Sequence, residues 1–460
     1  MLTMLVNPEI KELIQKRNFS ELKDILIDWD PTDIADLILN LEEDERALIF
    51  RLLPKELAAD VFEYLDYDTQ IDLIKSLSQE KIAELLNEMS PDDRTALFEE
   101  MPPNVVKQMI SYLTPEERKI AQQLLGYPED SVGRLMTPDY IAIRENWTVQ
   151  ETLDYIRKYG HDKETLNILY VVDDKGKLID DIKIRDFLLA PLDTKVSELM
   201  DGNYVSLKVN DDQETAIEVF KKYDRIALPV TDSSGVLVGI VTVDDVLDVA
   251  EEETTEDIHK SAAVEALEEP YPDTPVMKMI KKRAVWLSIL FIGEMFTATA
   301  MGFFEHEISQ AVVLALFLPL IISSGGNSGS QASTLIIRAL ALNEITLKDW
   351  LYVFRREIIT GLTLGAILAI IGFIRITVWQ YAGYSYGEHW ILLAFTVACS
   401  IIGVVAWGSL MGSMLPFIMK KLGFDPATSS APFVATLVDV TGIVIYFTVA
   451  HIMLSGTLLP

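Results

Sequence analysis

Pro432-Phe433-Val434-Ala435-Thr436-Leu437-Val438-Asp439-Val440-Thr441-Gly442 lies inside an apolar run, 430–452, whose only Asp, Glu, Lys or Arg is Asp439. A bilayer core of about 30 Å takes roughly 20 apolar residues of helix to cross, so the run reads as a span. A carboxylate in its middle costs at least about 2.5–3.5 kcal/mol on insertion scales and by default marks an ion pathway. Pro432, Ala435 and Gly442 keep its flanks small, which lets helix backbones approach. Working outward, 284–304 is a span with Glu294 as its one charge, and 390–417 is another with none. In 358–378 the one charge is Arg375, near an end from which its stem can snorkel. That position argues against a closed bundle in which Arg375 neutralises Asp439. The remaining span is interrupted: 308–322 is apolar, then Ser323-Ser324-Gly325-Gly326-Asn327-Ser328-Gly329-Ser330-Gln331 intervenes, and 332–342 resumes. A break in the helix is expected there, covered by protein or lining a wet cavity, because lipid satisfies no backbone groups.

Five spans follow, and Lys and Arg orient them. Lys281, Lys282 and Arg283 precede the first; Arg338, Lys348, Arg355 and Arg356 separate the second from the third; Lys420 and Lys421 separate the fourth from the fifth. The other two connections have none, which places residues 1–283 in the cytoplasm and the C-terminus outside. The chain's net charge of −31 divides unevenly, since 284–460 holds seven basic and nine acidic residues and the rest carries −29. So acidic a body repels nucleic-acid phosphates and anionic membrane surfaces, and nucleic acid is excluded as a partner. One cysteine, Cys399, rules out an intrachain disulfide or a cysteine-based zinc cage. No P-loop, H-E-x-x-H or G-x-S-x-G is present, and no enzyme is expected.

In the acidic half a large apolar residue recurs every twelve positions, at Leu41, Leu53, Leu65, Leu77, Met89, Met101, Leu113 and Leu125. Helix starters such as Pro54, Asp66, Ser78, Ser90, Pro102 and Thr114 follow most of them. Each unit is one short helix and a turn, too small to bury its own face, so the units must stack into a right-handed-superhelix-like array. A second duplication lies beyond the glycines of 126–133. Leu135-Met136-Thr137-Pro138-Asp139-Tyr140-Ile141 is similar to Leu199-Met200-Asp201-Gly202-Asn203-Tyr204-Val205, and 171–188 to 230–247, with Asp173/Asp232, Gly176/Gly235 and Asp186/Asp245 in register. This resembles a tandem pair of CBS domains (α/β), a regulatory module that often binds adenine nucleotides. Asp180 and Lys183 stand where the second copy has Gly239 and Thr242, and Arg225 where an aromatic residue would favour adenine stacking. All three count against ATP as a cofactor; Arg185 and Asp186 are the residues with the chemistry for phosphate and ribose.

After the pair, Asp244-Asp245-Val246-Leu247-Asp248 through Glu256-Asp257 reads as an acidic helix leading to Lys281, with carboxylates sharing a face at i, i+3 and i+4. Together, the twelve-residue acidic repeats, CBS pair, acidic connector, five spans, Gly325–Gln331 motif and Pro432–Gly442 motif resemble the MgtE family of bacterial magnesium channels. That resemblance implies 1–126 as a helical-repeat domain, 134–198 and 199–250 as CBS domains, 251–283 as a connecting plug helix and 284–460 as the transmembrane domain. It implies a homodimer in the plasma (inner) membrane, its pore formed by Asp439, Ala435, Asn327 and Thr334 around hydrated Mg2+. Cytosolic Mg2+ would close the pore by bridging Asp60, Asp92, Glu214, Asp224, Asp245, Asp248, Glu253, Glu256, Asp257 and Asp425. Ser330 and Ala96 depart from the pattern, at positions where an Asn and a carboxylate are expected. The other reading is a CBS-regulated transporter of another divalent cation or a small anionic solute. Mg2+ fits the chemistry because it keeps its waters and needs only one or two carboxylates touching them.

Overall fold

The computed structural model describes residues 10–267, 271–272, 274–384 and 386–459, and it divides into two compact units, Met1–Glu251 and Glu252–Pro460. Residues 1–9 of the expected repeat domain, and 268–270 and 273 of the expected connector, lie outside the described part.

In the first unit the twelve-residue period is visible directly. Helices begin at residues 19, 31, 43, 55, 67, 79, 91, 103 and 115, from Phe19–Ile27 to Pro115–Leu124. Side chains of Asp30, Asp66, Ser78 and Thr114 accept first-turn N–H groups, and proline opens several of the helices. Helices pack chiefly on the next but one: Lys55–Glu63 (α1) lies against Pro31–Leu39 and Gln79–Glu88. Their apolar faces form one core that includes Ile34, Phe62, Leu86 and Phe98. Pro91–Glu100 (α2) also touches the start of the next domain, where Arg134 donates to Glu99.

The duplication folds as two three-stranded sheets, Ala142–Ile143 (β1), Ile168–Val172 (β2), Leu178–Lys183 (β3) and Leu207–Lys208 (β4), Ala227–Thr231 (β5), Leu237–Thr242 (β6). In each, the first pair is parallel and the second antiparallel, joined by Gly176 or Gly235 at positive φ. Asp173 and Asp232 hold these turns alike, each taking two backbone N–H groups. The leading segments cross over between copies. Thr137 exchanges backbone hydrogen bonds with Ile240 of β6, whereas Asp180 of β3, fully buried, accepts the N–H groups of Asp201 and Gly202. Asp180 and Gly239 therefore do equivalent work. A Cβ on Gly239 would lie 2.9 Å from the Thr137 carbonyl, while the first copy uses a carboxylate to catch the opposing backbone.

The expected plug helix is not continuous to the membrane. Val243–Ser261 (α3) already begins at the end of β6 and stops at Ser261. Ala263 there adopts φ 58°, and the Val264 N–H returns to the His259 carbonyl, closing the helix end. Helix resumes at Val276, after Pro275.

Among the described residues of the second unit, five helical segments are long and apolar enough to cross a membrane. They centre on Val276–Phe303 (α4), Leu318–Ala341 (α5), Trp350–Tyr381 (α6), Trp390–Lys421 (α7) and Ala431–Leu454 (α8). Here the structure corrects the reading of the glycine-rich run, which lies within unbroken α5; the irregular stretch is Val312–Phe317 before it. Helical hydrogen bonding satisfies the backbone inside the segment, and the small residues serve close packing instead. A Cβ on Gly325 would lie 2.5 Å from Val404 Cγ1, and one on Gly408 would lie 2.2 Å from the Gly325 carbonyl oxygen. The glycines thus seat α5 on α7, with Ser328 and Ser409 hydroxyls 2.7 Å apart in the contact.

Candidate functional site

Along one side of α5, Ser323, Gly326, Asn327 and Ser330 recur at i, i+3, i+4 and i+7, so they share a face. They line a water-accessible cleft of ≈ 540 Å³ together with Pro319, Met301 of α4, and Ala435 and Asp439 of α8. Asp439 and Ala435 are one turn apart, and the small Gly326 brings α5 against both. Asp439 is half-buried; among the described residues, no ion pair to it is found, and Arg375 instead lies over the Trp379 ring. Gly293, beside Glu294, packs on Thr436, so the first span meets the fifth one turn before Asp439. Of the expected pore residues, Asp439, Ala435 and Asn327 are brought together. Thr334 is not on the cleft; it sits one turn beyond Ser330, exposed, and donates to the Ser330 carbonyl. Ser323 and Ser330 were legible only as part of the glycine-rich run, because their face depends on α5 being helical.

A second constellation lies in the first unit, where α1, α2 and α3 bring carboxylates together. Asp92 is 7% exposed, and among the described residues no donor reaches its Oδ1. Burial, then the charges of Asp245 and Asp93, hold its carboxyl well above the ordinary range. The same causes act on Asp245: burial raises it to about 7 against a hydrogen bond from Thr242, with Asp244 and Asp93 adding repulsion. Asp248 is raised by burial and by Asp244 and Asp93, and Asp60 by burial, Glu56 and Glu88.

Glu63 belongs to this cluster and was missed. It accepts the N–H of Ser90 at the start of α2, yet burial and Asp93 push it up to about 8. The available signal was its place three residues after Asp60, on the same side of α1. No three of these groups form a ready-made cage for a bare ion among the described residues. The arrangement suits a hydrated divalent cation touched by one or two carboxylates.

The other expected sensor residues are distributed. Glu214 and Asp224 are exposed at opposite ends of Gln213–Tyr223, about 15 Å apart along the helix, so one ion within a chain does not take both. Glu253, Glu256 and Asp257 occupy the last turns of α3, in the second unit with Asp425. Burial and then Asp425 raise the Asp257 carboxyl. Arg185 is exposed and Asp186 partly so, their side chains 3.7 Å apart.

A family model described as a divalent cation transporter matches residues 318–449, one described as the MgtE intracellular N domain matches 29–130, and CBS domains match 132–193 and 196–252. The magnesium transporter MgtE of Thermus thermophilus is 41% identical over 75% of this chain and 74% of its own length. The Enterococcus faecalis magnesium transporter MgtE is 34% identical over 74% and 72%. Among solved structures, the cytosolic domain of the Mg2+ channel MgtE in complex with ATP is similar at 36% identity and a TM-score of 0.51, covering 53% of this chain and 99% of that one.

Proposed function

The chain belongs to the MgtE family of divalent cation transporters, and on that footing we propose that it admits Mg2+ through the cleft at Asp439. The observation that carries this reading is the meeting of Asp439, the sole charge of its span, with the hydroxyl and amide side chains of α5 around an open cleft. Mg2+ dehydrates reluctantly, so it passes with its waters held by Asp439, Asn327 and the backbone near Ala435. The site stays weak enough to release the ion because it offers no cage. The protein works as a homodimer in the plasma membrane, with residues 1–283 cytoplasmic and the C-terminus outside. A partner supplies a second Asp439 and covers α4, whose apolar residues Phe291, Met295 and Phe296 are exposed on a single chain.

Cytosolic Mg2+ closes the channel by relieving the repulsion among Asp60, Glu63, Asp92, Asp93, Asp245 and Asp248. Closure is a population shift, since the packed arrangement binds the ion more tightly than the separated one. A nucleotide at Arg185 and Asp186 is not required for either step. Another divalent cation is the second reading, because Co2+ and Mn2+ also accept octahedral oxygen; an anionic solute is disfavoured by the carboxylates Glu294 and Asp439. Single-channel recording in bilayers with cations exchanged one at a time tests the proposal. Mg2+ current that falls as Mg2+ rises on the cytosolic side supports it; equal passage of anions would overturn it.

A further inference from the structure

The end of α3 contains a cation of its own. Lys260 Nζ lies 2.7 Å from Glu256 Oε1 and 2.8 Å from Asp425 Oδ2, with Asp257 adjacent in the same turn. Against one ammonium stand three carboxylates. All four side chains belong to the second unit, and the Lys260, Glu256 and Asp425 side chains are only about a third exposed (30%, 39% and 35%).

Asp425 divides its two oxygens between tasks. Oδ2 takes Lys260, and Oδ1 accepts the Ala427 N–H, fixing the turn that leads into α8. That turn is in turn tied to α5. The Ser429 carbonyl accepts the Ser333 hydroxyl at 2.9 Å, and the Ala431 carbonyl accepts the Ser330 hydroxyl at 3.1 Å. Ser330 lines the cleft, and Ala431 begins the helix that carries Asp439 two turns later. A continuous series of polar contacts therefore runs from the acidic helix to the cleft, and its first link is Lys260.

We infer that Lys260 is a positioning residue for the gate: a resident cation that docks the end of the acidic helix on the turn ahead of α8, where the carboxylates would otherwise demand a bound ion. This rests on the gating reading above. Lys260 holds the docked, closed arrangement without divalent ions and so sets how much cytosolic Mg2+ is needed to complete closure.

The test is the open probability of the full-length channel in bilayers as cytosolic Mg2+ is raised. Lys260→Met should raise the Mg2+ concentration for half-closure by about three- to tenfold, and Lys260→Arg should stay within about twofold of the parent. Asp425→Asn should shift it in the same direction, and Lys260→Asp combined with Asp425→Lys should recover part of the loss, which a folding defect would not allow. An unchanged or lower half-closing concentration in Lys260→Met overturns the inference, a lower one meaning that Glu256 and Asp425 bind the divalent ion themselves. A parent channel insensitive to cytosolic Mg2+ would instead defeat the gating reading on which the inference stands.

Discussion

A Cβ placed on Gly326 would stand 3.5 Å from Asp439 Oδ1 and 3.5 Å from the Ala435 Cβ, so α5 presents bare backbone to the one carboxylate of α8. Its neighbour Gly325 points the other way, into Val404 and Val438 at 2.5 and 2.9 Å. The two glycines should therefore respond differently to alanine. Gly325→Ala overpacks a helix contact and should destabilise the membrane unit by about 1–3 kcal/mol, read as earlier thermal aggregation in detergent. Gly326→Ala fits sterically, keeps its melting behaviour and loses flux, because the methyl group takes water's place beside Asp439. Equal flux in Gly326→Ala and parent would show that this face does not carry the ion.

Asp439→Ala should remove Mg2+ uptake into proteoliposomes while leaving the protein folded, since an apolar side chain is easier to hold in a span than a carboxylate. Asp439→Asn keeps an oxygen for the hydration shell and should retain a measurable fraction of the flux. The alanine variant transporting normally would take Asp439 out of the pathway.

The sequence carried the repeats, the duplication and the spans because each is a periodic pattern imposed by packing. Twelve-residue phasing survives in every helix start from Phe19 to Pro115. The glycine-rich run misled because Gly and Ser disfavour helix in water, whereas inside a membrane unit the backbone must pair with itself and small side chains become contact surfaces. Likewise Asp180 looked foreign beside Gly239, since its backbone partners, Asp201 and Gly202, lie in the other copy. Asp439 was legible alone, being the sole charge in its span. Glu63 and Lys260 were not, because their importance comes from Ser90 and Asp425, 27 and 165 residues away in sequence.

Neutralising Asp245 and Asp248 together as asparagines should leave conduction intact and abolish closure by cytosolic Mg2+. Both carboxylates face Asp244 and Asp93, so a divalent ion gains its advantage only in the packed arrangement. The measurement is current against cytosolic Mg2+; a parent-like closing curve would place the sensor elsewhere.

The same cluster fixes a pH dependence. Glu63 is raised to about 8 and Asp245 to about 7, each chiefly by burial. For a raised carboxylate, the packed state holds its proton where the separated state has lost it, so stability from this source is complete near pH 4 and lost as pH climbs through 7 and 8. In Mg2+-free buffer, limited proteolysis of the 126–133 segment should therefore quicken between pH 6 and pH 9. Millimolar Mg2+ at pH 9 should restore protection, and Na+ at matched ionic strength should not, because screening alone does not bridge two half-buried carboxylates. Asp92→Asn supplies the control: it removes the most deeply buried charge of the set and should slow cleavage at pH 9 without Mg2+. Protection that is flat across the pH range, or restored equally by Na+, would mean that the carboxylates tolerate one another's charge and that no divalent ion is needed to hold them together.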